Sequence, residues 1–277
     1  MKKKKLLRPV TITGTGFWGG ASGFWEFPRR QASITFRPFN LPGWYWKTKY
    51  GNIPINLSIA TMGMGEITLR YKDAELHVWE HIGSLRFLGI DGILIESTPW
   101  PPYHGRAWEL YDELKSSLIE SDKECTCIYP KNAVFHEIRN RNGVRSTSIV
   151  PPLYDNLEIS NSCQWGKLPD YRNDFKVTEE YVEACIKICA QGFPKWRHPI
   201  AKIAHRLGLY PHMDKAVWPG KNAPSTTALW FGMHRNADLL GALSLAHHEH
   251  LLHAKIVTDH GGHAIDLAAL RKTKWKQ

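Results

Sequence analysis

Met233-His234-Arg235-Asn236-Ala237-Asp238-Leu239-Leu240-Gly241-Ala242-Leu243 sets the frame for the chain. Its leucines at 239, 240 and 243 recur at helical intervals, so the stretch reads as an amphipathic helix. His234 and Asp238 lie four apart and therefore share one side. An imidazole and a carboxylate on one helix face supply two ligands of a catalytic zinc site, which takes three from the protein and keeps one position open. The pair alone fits a cap or a surface contact better than a metal site. It needs a third ligand and an acid–base group from elsewhere in the chain.

Working outward, the helix is followed by an apolar strand at 253–258, the turn Asp259-His260-Gly261-Gly262-His263 and a terminal helix to about Arg271. The first half repeats this order. Leu76, Trp79, Ile82, Leu85 and Leu88 recur every three to four residues up to a stop at Gly89. A β-rich run at 92–95 and a helix from Ala107 to about Ile119 come next. Each block is preceded by alternating, strand-like stretches: 9–16, 31–38, 45–49, 53–61 and 66–71 in the first half, and 127–139, 144–149 and 156–163 in the second. Asn142-Gly143 is a hairpin signal between two of them. Thr178 caps a helix to about Cys189, a Pro-rich segment with a helix at 200–207 follows, and 225–231 reads as a strand. The sequence predicts an α+β fold of two similar β-α-α-β type domains, 1–122 and 123–277, joined by a linker at 121–125. They are expected to pack face to face with the active site between them.

Composition narrows the function classes. The formal charge of +10 implies a surface that attracts anions, whether nucleic acid, an anionic membrane face or a phosphorylated small molecule. Much of it lies at the ends, in Lys2 to Lys5 and Arg271 to Lys276, which read as solvated tails. Apart from Met1, only two apolar residues precede Arg8, too few for a signal peptide, and no run approaches the roughly 20 apolar residues of a membrane span. The five cysteines show no paired C-x-x-C spacing and read as free thiols of a reducing cytoplasm.

The first-half helix carries His77-Val78-Trp79-Glu80-His81. Two zinc readings compete. In one, His77 and His81 both bind metal and Glu80 is the base, the H-x-x-E-H order of inverted zinc peptidases. In the other, only His81 binds and the remaining ligands are His234 and Asp238. The bland reading is two surface histidines. A further cluster, His247-His248-Glu249-His250 with His253, reads better as a helix end with exposed imidazoles than as a second metal site.

Trp79-Glu80-His81-Ile82-Gly83-Ser84-Leu85 with Leu88-Gly89-Ile90-Asp91-Gly92-Ile93-Leu94-Ile95-Glu96 resembles the signature of the bacterial UDP-3-O-acyl-N-acetylglucosamine deacetylases, zinc enzymes of lipid A biosynthesis. His234-Arg235 through Asp238 and Gly241 is similar to the family's His-Lys-x-x-Asp-x-x-Gly-Asp, and Gly262-His263-Ala264 to its Ser-Gly-His-Ala segment. Thr13-Gly14-Thr15-Gly16 before the 35–38 strand looks like its first hairpin. The resemblance implies a cytoplasmic hydrolase in which His81, His234 and Asp238 hold Zn2+, with Fe2+ suited to the same ligands. It also implies Glu80 as base, His263 as oxyanion stabiliser and proton donor, and Arg235 and Phe193 as substrate contacts. The implied partner is a UDP-linked acylated amino sugar. A monomer is expected, with no nucleic acid and no predicted peripheral membrane contact. Three positions depart from the pattern: the carboxylate supporting the catalytic histidine is Ala242, the active-site threonine falls on Ala190, and 194–224 matches poorly. Asp259 or Glu249 is expected to take over the support of His263. A non-catalytic sugar-nucleotide or nucleic-acid-binding relative is the other alternative.

Overall fold

The alternating stretches of both halves pair into sheets, and the two largest sheets are wired alike. The computed structural model describes residues 1–16, 30–63, 65–102, 106–140, 143–164, 170–188, 191–192, 203, 216–217 and 225–277. Among them the first half runs β1 (Lys2–Leu6), β2 (Val10–Gly16), β3 (Arg30–Pro38), β4 (Trp44–Thr48), β5 (Gly51–Pro54), β6 (Ala60–Met62), β7 (Ile67–Tyr71), β8 (Ala74–Leu76), α1 (Trp79–Ser84), β9 (Ile93–Ser97) and α2 (Ala107–Leu114). The second half runs β10 (Leu118–Glu124), β11 (Cys127–Pro130), β12 (Val134–Asn140), β13 (Gly143–Val150), β14 (Leu157–Cys163), β15 (Tyr171–Lys176), α3 (Glu179–Lys187), β16 (Gln191–Gly192), β17 (Ala216–Val217), α4 (Ser225–Leu243), β18 (Leu251–Leu252), β19 (Ala254–Asp259), α5 (His263–Lys272) and β20 (Trp275–Lys276). The protein is mixed α+β, with several sheets.

One five-stranded sheet has the order β2-β3-β9-β4-β5 and the other β12-β13-β19-β14-β15. In each, the central strand pairs antiparallel on one side and parallel on the other. The parallel step requires a crossover. In both sheets that crossover carries a helix, α1 before β9 and α4 before β19. β14 shows the period directly, since Leu157, Ile159, Asn161 and Cys163 are buried and the residues between them are not.

The core runs through both halves as one cluster that includes Trp44, Trp79, Ile82, Leu239, Leu240, Leu243 and Ile256. Burial of Trp79 and Ile82 of α1 and of Leu239, Leu240 and Leu243 of α4 in this core contributes on the order of 10 kcal/mol. That gain offsets the several kcal/mol that each carboxylate buried where α1 meets α4 costs.

Several expectations are corrected. The residues expected to form one helix at 76–88 begin as the end of β8, become α1 only at Trp79, and finish as a 3₁₀ turn, Leu85–Leu88, before Gly89 at φ 81. Val78 breaks the period, because it stands in the left-handed region at φ 54. Residues 225–231 are the first two turns of α4 rather than a strand. Their Thr226, Thr227, Trp230 and Phe231 carry strand propensity, which the continuous helix overrides. Residues 121–124 belong to β10, which pairs with β1, so neither the linker nor the basic N-terminal tail is loose chain. Lys3 meets Asp91 at 2.7 Å, and Lys4 pairs with Glu179 of the second half. β15 was not expected, since Tyr171-Arg172-Asn173-Asp174-Phe175-Lys176 is a polar edge strand with little apolar alternation. Ile203 apart, the expected 200–207 helix lies outside the described residues. Among the described residues no helix is long and apolar enough to cross a membrane.

Candidate metal centre

Gly241 lets α4 meet the backbone of α1, and Gly83 leaves room for the Ser244 side chain. A Cβ on Gly241 would lie 1.8 Å from the Glu80 carbonyl oxygen, and one on Gly83 would lie 2.4 Å from Ser244 Oγ. The contact is pinned by Trp79 Nε1, which donates to Ser244 Oγ at 3.1 Å. Gly241 stands three residues after Asp238 on the helix surface, so closing the backbones there also brings Glu80 and His81 up to the His234–Asp238 face.

The third member of the group therefore arrives from the other half. His81 Nε2 lies 3.6 Å from Asp238 Oδ1, and His234 Nε2 lies 3.6 Å from Asp238 Oδ2. The two imidazoles stand edge to face with centroids 5.5 Å apart. One donor atom from each of the three residues falls within 4.8 Å of the others, and the group could hold a metal ion. Bonds of roughly 2.0–2.2 Å in a tetrahedron set ligand atoms about 3.3–3.6 Å apart; each imidazole stands at that spacing from a different oxygen of Asp238. Asp238 is 6% exposed and its Oδ1 has no hydrogen bond, which leaves a buried acceptor open. Burial pushes the Asp238 carboxyl up, but His234, His263, His81 and Arg235 outweigh it and hold the group below its ordinary value.

Glu80 and His263 flank this group. Glu80 is buried, accepts from the Ile67 backbone N–H at 2.8 Å, and is held well above the ordinary carboxyl range by burial and then by the Asp238 charge. His263, the first residue of α5, places Nε2 at 3.8 Å from Asp238 Oδ2. Burial lowers its affinity for a proton, while Asp238 pulls the other way. Its Nδ1 is buried without a hydrogen bond.

Arg235 has a different setting from the one its expected substrate contact needs. Its guanidinium is buried and paired through Nη2 with Asp266, which also accepts from Thr147 Oγ1 at 2.9 Å. Phe193 and Ala190 lie outside the described residues.

Asp259 and Glu249 do not support His263. Asp259 binds Ser162 and His260, the latter at 2.9 Å, and Glu249 pairs with His248 at 3.2 Å. The carboxylates whose charge reaches the His263 ring are Asp238 and Asp266. Asp266 was missed in the sequence, although its place three residues after His263 in a helix was a usable signal.

His77 is engaged away from the centre. Its ring stacks on Trp100 at 4.2 Å and 5°, with Glu66 3.4 Å from Nδ1 and Glu75 3.3 Å from Nε2. The four-residue spacing to His81 aligns two side chains only within a helix, and α1 starts after His77. The cluster of His247, His248 and His250 stacks ring on ring at 4.5–4.9 Å, and it forms no further metal-type group among the described residues. Arg86 lies under it, donating to the backbone carbonyls of Ser244, His247 and His248. Cys125, Cys127, Cys163 and Cys185 are free thiols.

No family model matches the chain, and no curated protein matches it.

Proposed function

We propose that the chain is a zinc-dependent amide hydrolase that removes the acetyl group of a UDP-linked, 3-O-acylated N-acetylglucosamine-like sugar, as in lipid A biosynthesis, in the cytoplasm. The observation that carries the reading is the meeting of His81 from one half with His234 and Asp238 from the other, with Glu80 and His263 beside them. In this reading the two sheets with their helices are two copies of one unit facing each other, and the centre lies where α1 crosses α4. When bound, zinc polarises a carbonyl and lowers the pKa of water to about 7; Fe2+ suits the same donors.

The residues divide the remaining work. Glu80 is adjacent to His81 in sequence and excluded from solvent, so its carboxylate takes the proton of the attacking water. His263 enters from the opposite element, α5. Its imidazole N–H steadies the negative oxygen that develops on the acetamide and then hands a proton to the departing amine. Asp238 and the two imidazoles present three donors, which leaves one position for the reacting groups. The peptidase alternative would need His77 beside His81, and the contacts of His77 with Trp100, Glu66 and Glu75 count against it.

The test is acetate release from acylated and unacylated UDP-N-acetylhexosamines by protein purified without a histidine tag, with metal content measured in parallel. The expected result is about one metal ion per chain and turnover that a chelator abolishes. Metal-free protein whose turnover ignores chelator would overturn the reading.

A further inference from the structure

Behind Asp238 stands a row of buried polar side chains that the proposed chemistry does not use. Thr147 on β13 donates to Asp266 on α5, and Asp266 holds Arg235 on α4. Thr147 and Asp266 are each 1% exposed and Arg235 is 6% exposed. A buried ion pair is a poor device for stability, since apolar replacements are often neutral or stabilising. This pair is poorer still as a clasp, because Arg235 Nε and Nη1 are buried without hydrogen bonds. Each such unmet group costs about 1–3 kcal/mol.

The placement points to a different purpose. Arg235 lies between the two ligands of α4, directly after His234 and three residues before Asp238, so its permanent positive charge sits one turn from a metal carboxylate. Unopposed, that charge would compete for Asp238 and repel a divalent ion across a low-dielectric interior. Asp266 cancels it and fixes where the guanidinium lies, and Thr147 fixes Asp266. We infer that Asp266 is a positioning residue of the metal centre, acting through Arg235 to keep Asp238 available to the ion. The inference rests on the metal-centre reading above and extends it to residues outside the ligand set.

The test measures Zn2+ affinity by competition with a chromophoric chelator, together with the visible spectrum of the Co2+-loaded chain. Both are read on full-length wild type, Asp266→Asn, Thr147→Val, Arg235→Gln and the Arg235→Gln/Asp266→Asn double variant. Asp266→Asn should weaken Zn2+ binding about 10–100-fold, the range for loss of an outer-shell partner, and should shift the cobalt bands. Thr147→Val, a nearly isosteric change, should act in the same direction by about two- to five-fold, and it carries the test if Asp266→Asn does not fold. In the Arg235→Gln background, Asp266→Asn should change affinity less than about two-fold, because the charge it answers is gone. Additive effects of the two substitutions, or single variants with wild-type affinity and spectrum, would overturn this inference alone. A wild-type chain that takes up neither ion would overturn it together with the hydrolase reading.

Discussion

Each half builds a five-stranded sheet of the same wiring, but the halves differ in the helix that each brings to the cluster. α4 runs from Ser225 to Leu243 and carries His234 and Asp238 on one face, so two members of the cluster are set by the geometry of a single rigid element. α1 spans only Trp79–Ser84, between the left-handed Val78 and a 3₁₀ turn, and brings one imidazole, His81, and one carboxylate, Glu80. Equivalent scaffolds can thus divide a site unequally. The second half fixes the pair, and the first half completes the site only through the glycine contact that docks α1.

The strongest way to break this comparison is Asp238→Ala, which removes the ligand nearest both imidazoles. Metal content by elemental analysis should fall from about one ion per chain to near zero; retained metal would show that the α4 pair is not the anchor. Glu80→Ala comes next. Metal content should persist while acetate release falls about 10²–10⁴-fold, and near-normal turnover would remove the first half's carboxylate from the chemistry. Gly241→Ala then probes the docking itself. With the new Cβ 1.8 Å from the Glu80 oxygen, unfolding in denaturant should show a loss of about 3 kcal/mol, and metal affinity should drop with it. A variant of wild-type stability would mean that the helices need not touch.

Smaller effects sharpen the picture. His77→Ala should leave metal content unchanged and cost about 0.5–1.5 kcal/mol of stability through the lost stack on Trp100. Lost metal would restore the H-x-x-E-H reading. Last is a pH effect at the His247 cluster. Burial lowers the His247 pKa to about 4 in the folded chain, below its ordinary 6.5. The unfolded chain therefore takes up the proton first as pH falls. This group's support is fully present above about pH 6.5 and declines toward pH 4, and His247→Gln should flatten that part of a stability–pH curve.

The cluster that could hold an ion was legible in the sequence because its members lie at spacings that chemistry constrains: His234 and Asp238 four apart, and His81 next to the carboxylate of Glu80. The strands of the two sheets were legible where one face is buried, as in β3 and β14. What was not legible depended on partners distant in the chain. β1 and β10 are charged ribbons whose pairing rests on each other, with no apolar alternation to announce them. Residues 225–231 look like a strand until the rest of α4 continues through them. Arg235 reads as a substrate contact until Asp266, on another element, is seen to hold it. His77 is a similar case, since one left-handed residue, Val78, removes it from the helical count.

Because its three holders come from opposite halves, an ion at this centre would act as a clamp across the molecule. Resistance to unfolding would then depend on the surrounding supply of free metal, rising by about 2.7 kcal/mol at a hundred times the dissociation constant. A cell's metal balance would in that way govern how long the folded chain persists as well as how fast it works.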